Sequence, residues 1–397
     1  MYRIKMTNAD NKEFLLYDPN IQDLAVTSAT VNLESNTAGS ATLVFPCTHP
    51  HYSLINDKTA LFSIYEDNEI IFKGRIYEVK KDWNNSLTVT LEGLLAVLSD
   101  VLIFPFEYPG GYVNDKEYQT EENDVRFFCK KMIIEHYSNV CSGDFGDLKV
   151  DYNPIQLTLG NITVKDSGSG IVRSSEDYIT LWDIAKDKLF GSSLGGYISL
   201  RYVGDRNYFD YVKNFTETNS QVIEFGKNLT DITDDEVSTD TVSAVLALGK
   251  NNLKIPSYNG QTSSGYKGYK DGQIVSKDGD LFYHGYYIVS KKALQKYGWR
   301  SKIVKYDSVE KETETLLKKA VAFMQSEGIR LKKTIEVSAI DLHLTDSQIN
   351  SFRINKKVNV ISKPHNINVT YDLTKLSIDM LNPQNTKITV TNTDLVY

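Results

Sequence analysis

The chain has 397 residues, of which 41% are hydrophobic and 24% charged, with a formal charge of −7. That gives room for roughly two to four domains with ample core, and the balance excludes wholesale disorder. No run of about 18 apolar residues occurs, which excludes a membrane-spanning helix, and the charged opening MYRIKMTNADNKEF lacks the apolar stretch of a secretory signal. Three cysteines, Cys47, Cys129 and Cys141, are too few and too scattered for a disulfide framework and predict reduced thiols in a protein assembled in cytoplasm. An excess of 51 acidic over 44 basic residues argues against a dedicated nucleic-acid binder. Twenty-five Tyr against 3 Trp, with 24 Gly and 9 Pro, suit a β-rich protein with broad amphipathic surfaces.

The first hundred residues read as strands. Apolar and polar residues alternate over 3–6, 29–34, 41–45, 60–65, 70–76 and 87–93, and Asp67-Asn68 predicts a hairpin between the fourth and fifth. Leu94 to Leu98 reads as a short helical exit. From Val101 to Tyr112 the chain is irregular and extended. Helical spacing follows over 123–137, with Asn123 as cap and Val125, Phe128, Met132 and Ile133 on one stripe. After Gly/Asp- and Gly/Ser-rich loops, a second helix is expected, capped by Ser174, buried through Tyr178, Leu181, Trp182, Ala185 and Leu189, and ended by Gly191.

Strands resume at 197–203 and 207–212 around Gly204-Asp205, then at 222–225 and 242–248. From 251 to about 292 the chain is rich in Tyr, Gly and Lys, with one strand expected at 285–289. A helix is predicted over about 308–327, capped by Asp307 and Glu310 and stopped at Gly328. Strands at 333–340, 357–361, 373–379 and 386–390 follow, with a short helix at 346–352 between the first two, signalled by Thr345 and Gln348 as a capping box.

The expected fold class is therefore α+β and β-rich. It comprises a first β-barrel module at 1–98, a helical α/β domain at 99–195, a second β-barrel module at 196–249 and 333–397, and an inserted α+β domain at 250–332. Two β modules in one chain suggest an internal duplication, although no residue-level repeat is visible.

Chemistry-bearing patterns are sparse. Cys47, His49 and His51 have zinc-ligand character, but no second Cys/His cluster of suitable spacing supports them, so the segment reads as a turn. Cys129, with His136 and Cys141 nearby, reads as a buried helix thiol. Asp231, Asp234, Asp235 and Glu236 could run glycosidic hydrolysis or hold calcium, but the run lacks an EF-hand glycine and reads as a solvated turn. No G-x-S-x-G, H-E-x-x-H or P-loop pattern is present. Residues 291–333 carry 12 Lys/Arg against 5 Asp/Glu, and residues 204–240 carry 3 against 9. These opposite biases mark two solvated faces or two mating patches. Aromatics interleaved with Lys at 258–287 read as a loop-rich insertion, with glycan or nucleic-acid binding as the rival. The expected catalytic, cofactor-binding and metal residues are none.

A resemblance adds to this. Ile335-Glu336-Val337-Ser338-Ala339-Ile340-Asp341, then Arg353-Ile354-Asn355-Lys356-Lys357-Val358-Asn359-Val360, then Leu376-Ser377-Ile378-Asp379 with Thr386 to Val390, follow one another in an order that resembles the hub of bacteriophage tails. That family includes the tail-associated proteins of Gram-positive siphophages and the prophage endopeptidase tail family. More distant members are the myophage baseplate hub and the base of the type VI secretion spike. Ala293 to Arg300, Asn219 to Leu229 and Tyr17-Asp18-Pro19 fit the same pattern upstream.

The resemblance implies two tube-forming barrel modules and a homotrimer, so that six barrel-like units face a sixfold tube. It implies a structural hub at the virion tail tip, assembled in the host cytoplasm. The implied partners are a distal tail or tail tube protein, a tape-measure protein, and receptor-binding or fibre proteins, without stable membrane insertion or specific nucleic acid. Many relatives end in a peptidoglycan-cleaving domain. The sequence ends at Tyr397, just after the last hub strand, and no lytic triad or zinc motif appears, so a non-enzymatic role is expected, with cell-wall hydrolysis belonging to another protein or to a segment cut away. The rivals are a tail lysin using 231–236 and a cell-wall carbohydrate-binding module at 251–332.

Overall fold

The computed structural model describes residues 1–108, 125–141, 155–166, 173–192, 194–237, 242–258, 268–306, 309, 311–325, 332–344, 346 and 348–392. Two compact units divide the chain. Met1–Ile232 with Glu336–Val390 forms one, and Thr233–Ile335 forms the core of the other.

The first unit is dominated by a thirteen-stranded sheet. Its N-terminal module consists of β1 (Tyr2–Thr7), β2 (Glu13–Tyr17), β3 (Ser28–Glu34), β4 (Ser40–Phe45), β5 (Leu61–Glu66), β6 (Glu69–Lys81) and β7 (Leu87–Gly93). All neighbours are antiparallel, in the order β2-β1-β5-β6-β7-β4-β3. Burial alternates with period two, so that Val31, Ala41, Leu43, Phe62, Ile64 and Leu91 fill one face. The expected turn is present: Asp67 takes a positive φ of 52° between β5 and β6. Gly93 is needed at the base of the β3–β4 turn, since a Cβ there would fall 1.8 Å from the Ala38 carbonyl oxygen.

The helical section follows a short 3₁₀ exit at Leu94–Ser99 and contains β8 (Leu102–Ile103) and β9 (Phe106–Tyr108). A continuous helical run comprises α1 (Val125–Phe128), a π-helical stretch at Cys129–Glu135, and α2 (His136–Cys141). After β10 (Leu157–Ile162), β11 (Arg173–Ser175) and β12 (Ile179–Thr180) comes α3 (Leu181–Ile184), extended as π-helix through Ala185–Phe190. The expected stripe Val125, Phe128, Met132 and Ile133 is buried, but Asn123 lies outside the described residues. The second helix starts later than expected. Its cap is Thr180, which shares a reciprocal capping box with Asp183, while Ser174 lies in β11 and Tyr178 is exposed.

Strands β13 (Tyr197–Val203) and β14 (Arg206–Val212) form the expected hairpin around Gly204. They pair with β10 rather than with the second module. The reason lies in their apolar face: Ile198, Phe209 and Tyr211 share a core with Phe128, Ile133 and Leu189 of the helices.

The C-terminal module consists of β15 (Thr218–Glu224), β16 (Leu229–Val237), and, after the second unit, β21 (Lys332–Ala339), β22 (Lys357–Ser362), β23 (Ile367–Asp379) and β24 (Lys387–Asn392). Residues 231–236 thus lie in a strand and not in the expected solvated turn. Neighbours run β16-β21-β24-β23-β22-β15, with β15 parallel to β22. Counted in chain order, this repeats the first module: β3, β4, β5, β6 and β7 correspond to β16, β21, β22, β23 and β24. The central strands β6 and β23 are both 13 residues long. The duplication is legible in topology. Among the described residues, strand pairing runs open from β16 to β2, so the two barrel-like modules are arcs of one shared sheet and neither closes on itself.

The second unit contains β17 (Ala244–Gly249), β18 (Leu281–His284), β19 (Tyr287–Ser290), α4 (Lys291–Tyr297), β20 (Ser301–Tyr306) and α5 (Thr313–Phe323). Its sheet order is β18-β19-β17-β20. Residues 244–249, expected in the second barrel, are a central strand of this sheet, because Val245 and Ala247 pack with Leu316, Leu317 and Ala320 of α5. That helix begins at Thr313, later than expected; Asp307, Glu310 and Gly328 lie outside the described residues.

Candidate assembly site: the junction of the two strand modules

The two modules meet along a strand pair. β23 takes β22 along Ile367–Asp372 and β3 along Lys375–Asp379, in antiparallel register Lys375↔Glu34, Leu376↔Leu33, Ser377↔Asn32 and Ile378↔Val31. Backbone bonds from Ser35 N–H to Thr374 O (2.8 Å) and from Met380 N–H to Ala29 O (2.9 Å) extend it at both ends. Val31, Leu376 and Ile378 are buried, while the opposite face pairs Lys375 with Glu34 (3.4 Å) and Ser377 with Asn32 (2.6 Å). One strand pair thus carries core on one face and polar contacts on the other.

A second contact lies at the β5–β6 turn. Arg353 reaches from the C-terminal module to the buried carboxylate of Glu66 and to Glu69 at 2.9 Å. Beside it, Asp67 binds the N-terminal ammonium of Met1 and accepts a 2.7 Å bond from His343 Nε2. The other ring nitrogen of His343 donates to Ile349 O at 2.5 Å. Both nitrogens face acceptors, which only an imidazolium satisfies. Burial opposes the charge, but the Ile349 carbonyl and the Asp67 and Glu66 carboxylates outweigh it, and the His343 pKa lies above its usual value. The N-terminal ammonium, then His343, hold the Asp67 carboxyl below its usual range.

Behind this lies a buried polar knot. Gln221 Nε2 donates to the Asp341 carboxylate and to Asn350 O (2.7 Å), and its Oε1 accepts Leu342 N–H (3.0 Å). Asp341 also accepts the His343 and Phe352 N–H groups, both at 3.0 Å. Two of these bonds, at Asn350 O and Phe352 N–H, satisfy backbone groups within the expected helix at 346–352. The described residues there form a 3₁₀ turn at Leu342–Leu344 followed by turns closed by Asp346 N–H to Leu342 O (2.9 Å) and Ile349 N–H to Asp346 O (3.0 Å), and Thr345 lies outside them.

The residues singled out by composition serve other purposes. His49 is buried, with Nε2 donating to Leu16 O (2.8 Å) and Nδ1 accepting His51 N–H (3.2 Å). Burial holds its pKa below the usual value, so it is a neutral plug beneath β2. Cys47 is exposed, Cys129 is buried on the helix stripe, and His136 Nε2 bonds Leu102 O at 3.0 Å. Among the described residues no three His, Cys, Asp or Glu side chains converge as a metal set, and no helix is long and apolar enough to cross a membrane. In the second unit, lysines of the aromatic stretch lie over tyrosine rings, Lys254 over Tyr286 and Lys270 over Tyr258. Glu66, Glu69, His343 and Arg353 carry the junction without any local motif; their meaning depends on partners some 280 residues away in sequence.

Comparison with known proteins agrees with this architecture. Residues 216–396 match the prophage endopeptidase tail family. Among solved structures, the 43 kDa tail protein of prophage MuSo2 from Shewanella oneidensis aligns over 98% of this chain and 97% of its own, at 12% identity and a TM-score of 0.54. The tail protein from Neisseria meningitidis MC58 aligns over 98% and 96%, at 11% identity and 0.53. The prophage tail protein gp18 from Listeria monocytogenes EGD-e aligns over 100% and 95%, at 10% identity and 0.50. No curated protein matches by sequence. Residues 216–396 are thus similar to the prophage endopeptidase tail family, and over its length the chain has the fold of these phage tail proteins.

Proposed function

We propose that this protein is a structural component of a phage tail, acting as a hub at the tail tip in which three copies form a ring. Each copy offers two strand modules of the same order, so three copies present six related units to a sixfold tube. The observation that carries the reading is the repeated order β3-β4-β7-β6-β5 and β16-β21-β24-β23-β22 within one sheet. In this reading the ring adapts the tube to the tip apparatus, lines or closes the channel, and contacts distal tail or tube, tape-measure and fibre proteins. The charge-biased segments 204–240 and 291–333 are candidates for subunit contacts.

Sedimentation equilibrium of the full chain across a concentration series tests it. The expected species has three times the chain mass; a monomer throughout overturns the reading. A second reading is favoured by the description of the matching family, which names an endopeptidase. It predicts clearing of purified peptidoglycan that is lost in Asp234→Asn/Asp235→Asn. No clearing by the unaltered chain removes it.

A further inference from the structure

The second unit gathers three aromatic rings at one exposed corner. β18 and β19 end at the cross-strand pair His284↔Tyr287. Both rings meet Trp299 edge to face, with centroids 6.1 and 5.4 Å away. Trp299 comes from a different element. α4 ends at Tyr297, and Gly298 takes a φ of 74° with its N–H bonded to Leu294 O at 3.0 Å. That left-handed step takes the chain off the helix, and Trp299 follows it against the hairpin. The core of this unit is built from Val245, Ala247, Leu281, Tyr283 and Leu316, whereas Trp299 stays 50% exposed.

The corner is held in place by hydrogen bonds. Gly285 N–H donates to Asp271 Oδ1 (2.9 Å), Tyr286 N–H to the Tyr283 hydroxyl (3.1 Å), and Gly272 N–H to Tyr283 O (2.8 Å). Tyr286 takes a φ of 76° in this tip, a costly conformation for a bulky side chain. Asp271 Oδ2 also lies 3.5 Å from His284 Nδ1. One exposed carboxylate therefore orients both the tip and the imidazole.

Fixed aromatic rings left in water, beside an oriented carboxylate and imidazole, have a chemical reading. Their apolar surface gains from being covered by another apolar face, and fixing it in advance lowers the entropy lost on binding. A pyranose ring supplies both halves of the match. Its C–H face suits the aromatic rings, and its hydroxyl groups suit the Asp271 carboxylate and the His284 Nε2 atom. Charge separates a neutral from an anionic ligand. Lys254 stands 5.5 Å over the Tyr286 ring, and the charge that meets His284 is the Asp271 carboxylate. A carboxylate at this position repels a phosphate chain and accepts hydroxyl protons.

We propose that the corner formed by Trp299, Tyr287, His284 and Asp271 binds a neutral pyranose chain of the kind a cell-surface glycan presents. The proposal goes beyond the ring reading and does not depend on it.

The test uses the full chain with three uncharged hexasaccharides, those of β-linked N-acetylglucosamine, cellulose and amylose, and with oligothymidylate as an anionic probe. Titration calorimetry is expected to show binding of at least one sugar, weakened at least ~10-fold in Trp299→Ala and largely kept in Trp299→Phe, which retains a ring. Unchanged amide exchange in β18 and β19 separates lost binding from a lost fold. Asp271→Asn keeps an oxygen for Gly285 N–H but removes the charge, so it should weaken sugar binding; a polyanion would instead bind this variant more tightly. The proposal is overturned if none of the three sugars binds the unaltered chain, if binding is indifferent to Trp299→Ala, or if oligothymidylate is preferred and gains from Asp271→Asn. None of these results changes the mass of the assembly, on which the ring reading stands or falls separately.

Discussion

The two strand modules share an order but not their surroundings. In the first, β3 and β4 are joined by the tight turn 35–39, closed by a Gly93 N–H bond to Gly39 O at 3.1 Å. In the second, the corresponding connection between β16 and β21 opens into an entire folded unit, while the sheet order is unchanged. A hairpin tip tolerates this because strand register is fixed by backbone pairing and side-chain alternation below the tip, and closing a longer loop costs little extra entropy. The modules also differ at their far edges, where β1 and β2 extend the first as an antiparallel hairpin and β15 extends the second in parallel. What is common to both is the five-strand order; what differs lies at tips and edges.

Substitutions at the junction and within each module sharpen that contrast. Arg353→Met should have the largest effect, about 3–5 kcal/mol by chemical denaturation, because it leaves the buried Glu66 carboxylate without its cation. A loss under about 1 kcal/mol would mean that the β5–β6 turn does not depend on the second module. Gly93→Ala should cost about 3 kcal/mol, since the added methyl meets the Ala38 carbonyl. Leu376→Ala, on the buried face of the β3–β23 pair, should cost about 2–3 kcal/mol and speed amide exchange in β3 as well as in β23. Thr180→Ala removes a capping box and should cost about 1 kcal/mol in the helical section alone.

The junction also has a pH signature. The His343 pKa is raised on folding, so its contribution is fully present below its unfolded value near 6.5 and is lost as pH rises through the higher folded value. Asp67 behaves oppositely: its contribution is present above its unfolded value near 3.8 and lost as pH falls. Thermal melts of the unaltered chain should therefore weaken as pH rises above about 6.5, and His343→Gln should flatten that slope. An identical slope in the variant would detach the effect from this residue.

Local signals were enough where the structure is locally determined. The Asp67-Asn68 turn, the alternation in β4 and β7, and the stripe of Val125, Phe128, Met132 and Ile133 are all readable because period and turn chemistry decide them. Readability ended where distant partners decide. Residues 244–249 and 197–212 are strands in either allocation, and their own alternation does not say which sheet they join. In the expected helix at 346–352, Gln348 N–H bonds Asp346 Oδ1 at 2.9 Å, and Thr345 lies outside the described residues. The first half of β23, Ile367–Asp372, extends beyond the strand expected at 373–379, although Ile367, Val369 and Tyr371 alternate with polar residues as a strand requires. The pairing of Arg353 with Glu66 has no local signal, since these residues acquire that role only once the modules meet.

The central claim, that a duplicated strand module lets three copies act as a six-unit ring, is tested most directly by electron-microscopy class averages of the purified full chain. The account predicts annuli of three copies with six similar lobes around a central opening. Averages containing only single-copy particles, or two-fold assemblies, would contradict it.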